Sequence, residues 1–227
     1  MLPIIVYSHS THHDVLDVFA DSAKKFELDK NFKCCLLSDD VHPSDIFKLK
    51  MLYFPMDSYA GRLRTGCKNM LKLDEEYFML LHEDFILYDK PNVKAIYALL
   101  DEFKQNKDID FIRLIRSNDK ALNQYKPNLY ISQNNLCIQA TIFKTNSLDT
   151  YLMEVKDYSI YDIEVMQNSD LEGLFYFEGT EKLVGTAHYE SLIFPYTATA
   201  VCKGKWNKEY YEELKGLGVD FSKRGLV

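Results

Sequence analysis

His82, Glu83 and Asp84 stand together in LLHEDFILY, residues 80–88, between two apolar runs. Carboxylate oxygens suit a hard divalent cation, and one or two carboxylates plus substrate phosphates can hold Mg²⁺ or Mn²⁺ without an all-protein cage. Asp84 is the preferred ligand on that chemistry. Two other strand-like runs also end in polar groups: PIIVYS leads to Ser8 and His9, and FKCCLLSDD leads to Asp39 and Asp40. Ligands of open α/β sheets gather beyond the carboxyl ends of the strands, so these three tips are expected to share one cleft. The plainer alternative is that the charged groups mark strands reaching water.

The elements that must position these tips follow from apolar spacing. Residues 3–8 read as a buried strand, and Val15, Leu16, Val18, Phe19, Ala23 and Phe26 recur as on a helix, with Ser10 or Thr11 as its cap. KMLYF, residues 50–54, is a brief strand. Ser58 then caps a helix reaching about Leu73, and residues 77–81 form the third core strand. Pro91 opens a helix from Asn92 to about Lys104, and IDFIRLIRS supplies a further strand. Beyond Ser117 the rhythm loosens. A strand is expected over 139–143, helices near Ser147–Met153 and Asp162–Gln167, a strand at YTATAV, and a last helix from Asn207 to Leu217. This alternation predicts an α/β fold with a mainly parallel central sheet flanked by helices, in a single domain over residues 1–227.

Bulk properties exclude some partners. A formal charge of −7 argues against broad attraction to nucleic acid or an anionic membrane, so any phosphate must be met locally. Five cysteines without a CxxC pair suit free thiols in the cytoplasm better than a disulfide framework. No apolar run approaches the length of a membrane helix, and the opening MLPIIVYSHS does not read as a signal peptide. His9, His12 and His13 invite a zinc site, but no matching Cys or His pair follows; an anion at the adjoining helix start suits them better.

SYAGRLRTGCKNMLKLDEEYFMLLHEDFIL, residues 58–87, resembles the helix and metal-motif strand of GT-A glycosyltransferases, with HED standing where the family has Asp-x-Asp. FIRLIR, NLCIQATIF, SIYDIE and KGKW continue the resemblance in order, toward small viral and bacterial surface-glycan enzymes. It implies a GT-A, Rossmann-like nucleotide-diphospho-sugar transferase fold. It also implies transfer of a sugar from a nucleotide-sugar donor to a glycan or glycoconjugate hydroxyl, assisted by Mn²⁺ or Mg²⁺.

Under that resemblance Ser8 and His9 lie by the nucleotide, Asp39 meets base or ribose, and Arg62 approaches base or diphosphate. Asp84 matches the second aspartate of the motif, with His82 in the first position as its partner at the metal and Glu83 on the donor. The departing diphosphate needs positive charge, which Lys203 and Lys205 around Gly204 could add unless they form a solvated turn. An inverting transfer needs a base: Glu164 matches the family's acidic position, and Asp162 is the alternative. A helix-capping acid is the simpler account of either. Arg113 is assigned to the donor, with a surface ion pair as the competing account. Gln139 and Trp206 are the acceptor-side candidates, by hydrogen bonding and by stacking. The rival functions are another metal-dependent nucleotide enzyme, such as a nucleotidyltransferase, and a catalytically silent carbohydrate-binding module. Neither a glycine-rich loop after the first strand nor a P-loop signature is present to favour the former.

Overall fold

In the computed structural model, residues 1–54, 57–117, 123–132, 136–165, 170–184 and 187–227 are described. The main strands are β1 (Pro3–Tyr7), β2 (Lys33–Ser38), β3 (Leu49–Leu52), β4 (Tyr77–His82), β5 (Phe111–Arg113), β6 (Gln124–Lys126), β7 (Leu129–Ile131), β8 (Thr141–Lys144) and β9 (Gly173–Tyr176). The helices are α1 (His13–Lys25), α2 (Leu28–Asn31), α3 (Tyr59–Lys72), α4 (Val93–Gln105), α5 (Thr145–Glu154), α6 (Ile160–Val165) and α7 (Tyr211–Gly216). The nine strands form one sheet in the order β3-β2-β1-β4-β8-β5-β9-β7-β6. β3, β2, β1 and β4 run parallel, as does the β5–β9 pair, while β8 is antiparallel to both β4 and β5. The α/β sheet with flanking helices is therefore the expected fold class.

β1 is apolar throughout because both its faces are covered, as in a parallel sheet buried by crossover helices. Period-2 alternation sends Ile4, Val6, Cys34, Leu36, Met79 and Leu81 into a core with α1 and α4. It sends Ile5, Tyr7, Cys35, Leu37, Phe78 and Leu80 into a second core with α3 and α5. At Gly66 α3 lies close on the sheet: an added Cβ would stand 3.1 Å from methyl groups of both Ile5 and Leu37. Local caps start the helices, Ser58 as read and Asn92 where Pro91 was expected to open the helix. Ser58 accepts from the Gly61 amide at 3.0 Å, and Asn92 from the Ala95 amide at 3.1 Å.

Several expectations are corrected. Ser10 and Thr11 do not cap α1; they lie in a single 3-10 turn, and Ser10 turns to Asp39. IDFIRLIRS is a strand only over Phe111–Arg113. YTATAV is not a strand apart from its final residue: Tyr196 bridges Leu87, while Thr197 and Ala200 donate to backbone carbonyls of residues 84 and 86 and so brace the exit of β4. A strand begins only at Val201, in β12 (Val201–Cys202), which pairs with β13 (Lys205–Trp206); β10 (Leu183–Val184) and β11 (His188–Tyr189) form another short ladder. The helix expected at Asp162–Gln167 starts earlier, as α6, and its expected end at Gln167 lies outside the described residues. The final helix splits into a 3-10 turn, Lys208–Tyr210, and α7.

Candidate functional site

Register explains why the three polar tips meet. Tyr7 is level with Leu37 on one side and His82 on the other, so Ser8, Ser38 and Glu83 follow at the same edge of three adjacent parallel strands. The Ser8 amide donates to Leu37 O at 3.0 Å and the Glu83 amide to Tyr7 O at 3.1 Å, holding the tips side by side. Beyond them opens a cleft of about 620 Å³, walled by Tyr7, His9, Thr11 and His12 from the β1 exit and by His82 and Glu83 from β4. Asp57, Ser58, Tyr59 and Arg62 from the start of α3 complete the lining with Asp157, Ser159 and Ile160, a segment tied to them by the bond from the Ala60 amide to the Tyr158 carbonyl.

An aromatic floor supports the cleft. Tyr7 stacks on Tyr53 at 5.6 Å and meets Tyr59 edge-on at 5.2 Å. Arg62 lies over the Tyr53 ring, donates from Nη1 to the Tyr7 hydroxyl at 3.2 Å and from Nε to the Asp57 carbonyl at 2.8 Å. Its guanidinium is therefore oriented before any ligand arrives. His82, at the cleft wall, is largely buried: burial lowers its pKa to about 4, its ring stacks on Phe85, and its Nε2 is 2.7 Å from the Tyr59 hydroxyl.

The acidic tips turn onto histidines. Asp39 accepts from the Ser10 amide at 2.7 Å and the Ser10 hydroxyl at 2.8 Å, and lies 3.3 Å from His9 Nε2. Burial pushes the Asp39 carboxyl up, but the Ser10 hydrogen bonds and the His9 charge together hold it below the ordinary value. Glu83 Oε1 lies 3.2 Å from His12 Nδ1, while Glu83 Oε2 is buried without a hydrogen-bond partner among the described residues. Glu83 raises the His12 pKa by that hydrogen bond, against desolvation and the charge of Arg224. Asp84, half-buried, has its carboxyl raised by burial and by the neighbouring Glu83 charge.

Of the sequence candidates, the cleft thus brings together His9, Arg62, His82 and Glu83; Ser8, which is buried, Asp39, which faces His9, and Asp84 are not part of its lining. Glu164 is on α6, near the Ile160 rim, with the Ile138 amide 3.4 Å from Oε1. Although its side chain reaches solvent, surrounding protein raises its carboxyl pKa by desolvation, opposed by that amide. Asp162 is spent locally. It accepts from the Ser159 amide at 2.9 Å and hydroxyl at 2.7 Å, while Ser159 accepts from the Asp162 amide, a reciprocal cap at the start of α6.

The remaining candidates lie elsewhere. Arg113 is buried in the second half of the sheet, with Nε on the Ile115 carbonyl at 3.0 Å and its guanidinium over Phe175. Gln139 is buried and bonded to the Tyr196 hydroxyl and the Ala198 carbonyl. Trp206 is core, 2% exposed. Lys203 and Lys205 are exposed on the β12–β13 hairpin, where φ of +51° at Lys203 and +77° at Gly204 make a tight turn that glycine favours. The Tyr7–Tyr53–Tyr59 cluster, the contact of His12 with Glu83, and Arg224 were not legible in the sequence. No local signal marks Arg224, which reaches the β1 exit only through the fold.

The described residues do not make an all-protein metal cage. No three His, Cys, Asp or Glu side chains converge among them, and Nε2 of His82 is taken by Tyr59. A Mn²⁺ or Mg²⁺ ion would have to arrive with the phosphates of a donor.

No protein-family model matches the chain, and no curated protein sequence matches it. Solved structures do share its fold. HddC from Yersinia pseudotuberculosis is similar with a TM-score of 0.54 at 10% identity, over 95% of this chain and 99% of that one. UDP-glucose pyrophosphorylase complexed with UDP-glucose has a TM-score of 0.50 at 10% identity, over 78% of this chain and 90% of that one. Residues 1–349 of TarS from S. aureus give a TM-score of 0.48 at 12% identity, over 98% and 68%. The chain has the Rossmann-like α/β fold of the nucleotidyltransferase and GT-A type. No helix among the described residues is long and apolar enough to cross a membrane.

Proposed function

We propose that this chain is a glycosyltransferase, moving a sugar from a nucleoside-diphosphate-sugar donor to a hydroxyl of a glycan or glycoconjugate. The observation that carries the reading is the cleft at the carboxyl ends of β1 and β4, lined by Tyr7 and Tyr59 and by Arg62, whose guanidinium is already held by the Tyr7 hydroxyl and the Asp57 carbonyl. An aromatic platform beside a guanidinium suits a base and its phosphates. The fold shared with a pyrophosphorylase that holds UDP-glucose supports a nucleotide-sugar ligand.

In this reaction the acceptor oxygen bonds to the anomeric carbon, the bond from that carbon to the phosphate oxygen breaks, and the electron pair leaves with the nucleoside diphosphate. Glu164 takes the acceptor proton. Its carboxyl, raised by the surrounding protein, is a stronger base than an ordinary glutamate, and an inverting outcome follows from direct displacement. Five free cysteines, three of them buried, support a reducing, cytoplasmic setting.

A second reading, nucleotidyl transfer, is favoured by the same likeness to UDP-glucose pyrophosphorylase. The two separate in one experiment. Wild type and Glu164→Gln are incubated with a panel of nucleotide sugars, with and without Mn²⁺, and products are resolved by mass. Release of free sugar and nucleoside diphosphate, lost in the variant, supports glycosyl transfer. Formation of sugar 1-phosphate and nucleoside triphosphate from added pyrophosphate supports the second reading. Neither product, with no donor-induced thermal shift, refutes both.

A further inference from the structure

The loop after β1 presents two imidazoles to the cleft, and each is held by a carboxylate from a flanking strand tip. They are not equivalent. His9 uses both nitrogens: Nε2 faces Asp39 at 3.3 Å, while Nδ1 accepts from the Thr11 amide at 3.2 Å and lies 2.9 Å from the Thr11 hydroxyl. Its ring is a strut of the loop. Among the described residues His12 meets a partner only through Nδ1, toward Glu83 at 3.2 Å, which leaves Nε2 for a ligand in the cleft that His12 lines.

Among the described residues, Glu83 from the β4 exit favours the protonated form of His12 and Arg224 from the C-terminal tail opposes it, while Asp84, its own carboxyl raised by burial and by Glu83, adds to Glu83 only when ionised. Glu83 is 8% exposed, and its Oε2 has no hydrogen-bond partner among the described residues, so its negative charge is committed mainly to the imidazole. A buried carboxylate with one oxygen unanswered is costly unless a cation stays beside it. The arrangement therefore keeps a positive N–H at the wall of a cleft that also contains the Arg62 guanidinium. Two cationic donors from separate elements match an anionic group with several acceptor oxygens, whereas neutral sugar hydroxyls need none.

We propose that His12, held by Glu83, is a phosphate-binding group that contacts the diphosphate of a nucleoside-diphosphate ligand through Nε2. The inference rests on the nucleotide-sugar reading above and adds to it the group that meets the leaving phosphates. As the bond from the anomeric carbon to oxygen breaks, the Nε2 proton stabilises the charge gathering on the departing phosphate oxygen.

Calorimetric titration tests it, with UDP and GDP as diphosphate probes and uridine and guanosine as their phosphate-free counterparts, all in EDTA. The expected result is that wild type binds one of the diphosphates more tightly than its nucleoside, and that affinity falls as the pH rises from about 6 to 9 while His12 loses its proton. His12→Gln should weaken diphosphate binding by about tenfold or more, leave nucleoside binding unchanged and flatten the pH dependence. Glu83→Gln, which keeps a hydrogen-bonding side chain without the charge, should shift the pH dependence to lower pH. Diphosphate binding that is equal in wild type and His12→Gln, or lost equally for diphosphate and nucleoside, overturns the proposal while leaving the nucleotide-sugar reading standing. Binding by wild type that vanishes in EDTA also overturns it. Absence of any nucleotide binding by wild type, with or without Mn²⁺, overturns the reading itself.

Discussion

Replacing Arg224 with alanine tests whether the C-terminal tail locks the β1 exit in place. Arg224 Nε donates to Asp14 Oδ2 at 2.6 Å, an Nη2 hydrogen goes to Asp14 Oδ1, and further bonds reach the Thr11 carbonyl at 3.0 Å and the Gly204 carbonyl at 3.3 Å. The two side chains are 12% and 28% exposed, between a surface pair and a buried one. Surface pairs contribute about 0.2–1 kcal/mol, and breaking a buried pair costs about 3–5 kcal/mol. The expected loss here is about 2 kcal/mol, because the bidentate geometry is good but water still reaches Asp14. For a domain of this size that lowers the melting temperature by about 4–8 °C. The hydrogen bond from Arg224 holds the Asp14 carboxyl below its ordinary 3.8. A depressed folded pKa means the contribution is complete above the unfolded value and is lost as the pH falls through the folded one. Urea unfolding of wild type, Arg224→Ala, Asp14→Asn and the double variant should thus show a gap constant at neutral pH that closes below about pH 4. Single variants within about 0.5 kcal/mol of wild type, or a gap indifferent to acid, would refute the reasoning.

Gly173 pairs with Phe111 across β5 and β9, and a Cβ there would fall 1.9 Å from Phe111 Cζ. Gly173→Ala should cost about 3 kcal/mol in chemical denaturation, and Phe111→Ala in the same chain should relieve the clash without restoring wild-type stability; an additive pair of losses contradicts this. Glu164→Gln should lower turnover about 10²–10⁴-fold, and wild-type activity should fall on the acid side at a pH above that of an ordinary glutamate, since the base works only when deprotonated. Asp162→Asn, by contrast, should leave turnover unchanged, its carboxylate being occupied with the cap of α6. Burial pushes the Cys34 thiol up to about 12, the Cys35 thiol to about 11, and Cys67 upward as well. A thiol reagent should therefore label Cys202 in the folded protein and reach those three only on denaturation; prompt native labelling of Cys34 would show the first core open.

Strand β1, helix α3 with its Ser58 cap and the apolar face of helix α4 could be read from residues a few positions apart, because apolar periodicity and caps are local signals. The polar exits at Ser8, Asp39 and Glu83 were legible for the same reason, and parallel register then brought them to one edge. What faces what was not legible. A sheet order that sets β8 between β4 and β5, the burial of Gln139 and Trp206, and the contact between Arg224 and Asp14 depend on segments that meet only after the whole chain has packed. HED is the sharpest case. Its composition marked a polar exit with Asp84 as the preferred metal ligand, but that Tyr59 meets His82 and His12 meets Glu83 became visible only in the folded protein. Sequence alone determined where the chain would become polar; tertiary structure decided which partner each of those polar groups would take, since a buried charge or ring nitrogen settles on the nearest group able to satisfy it.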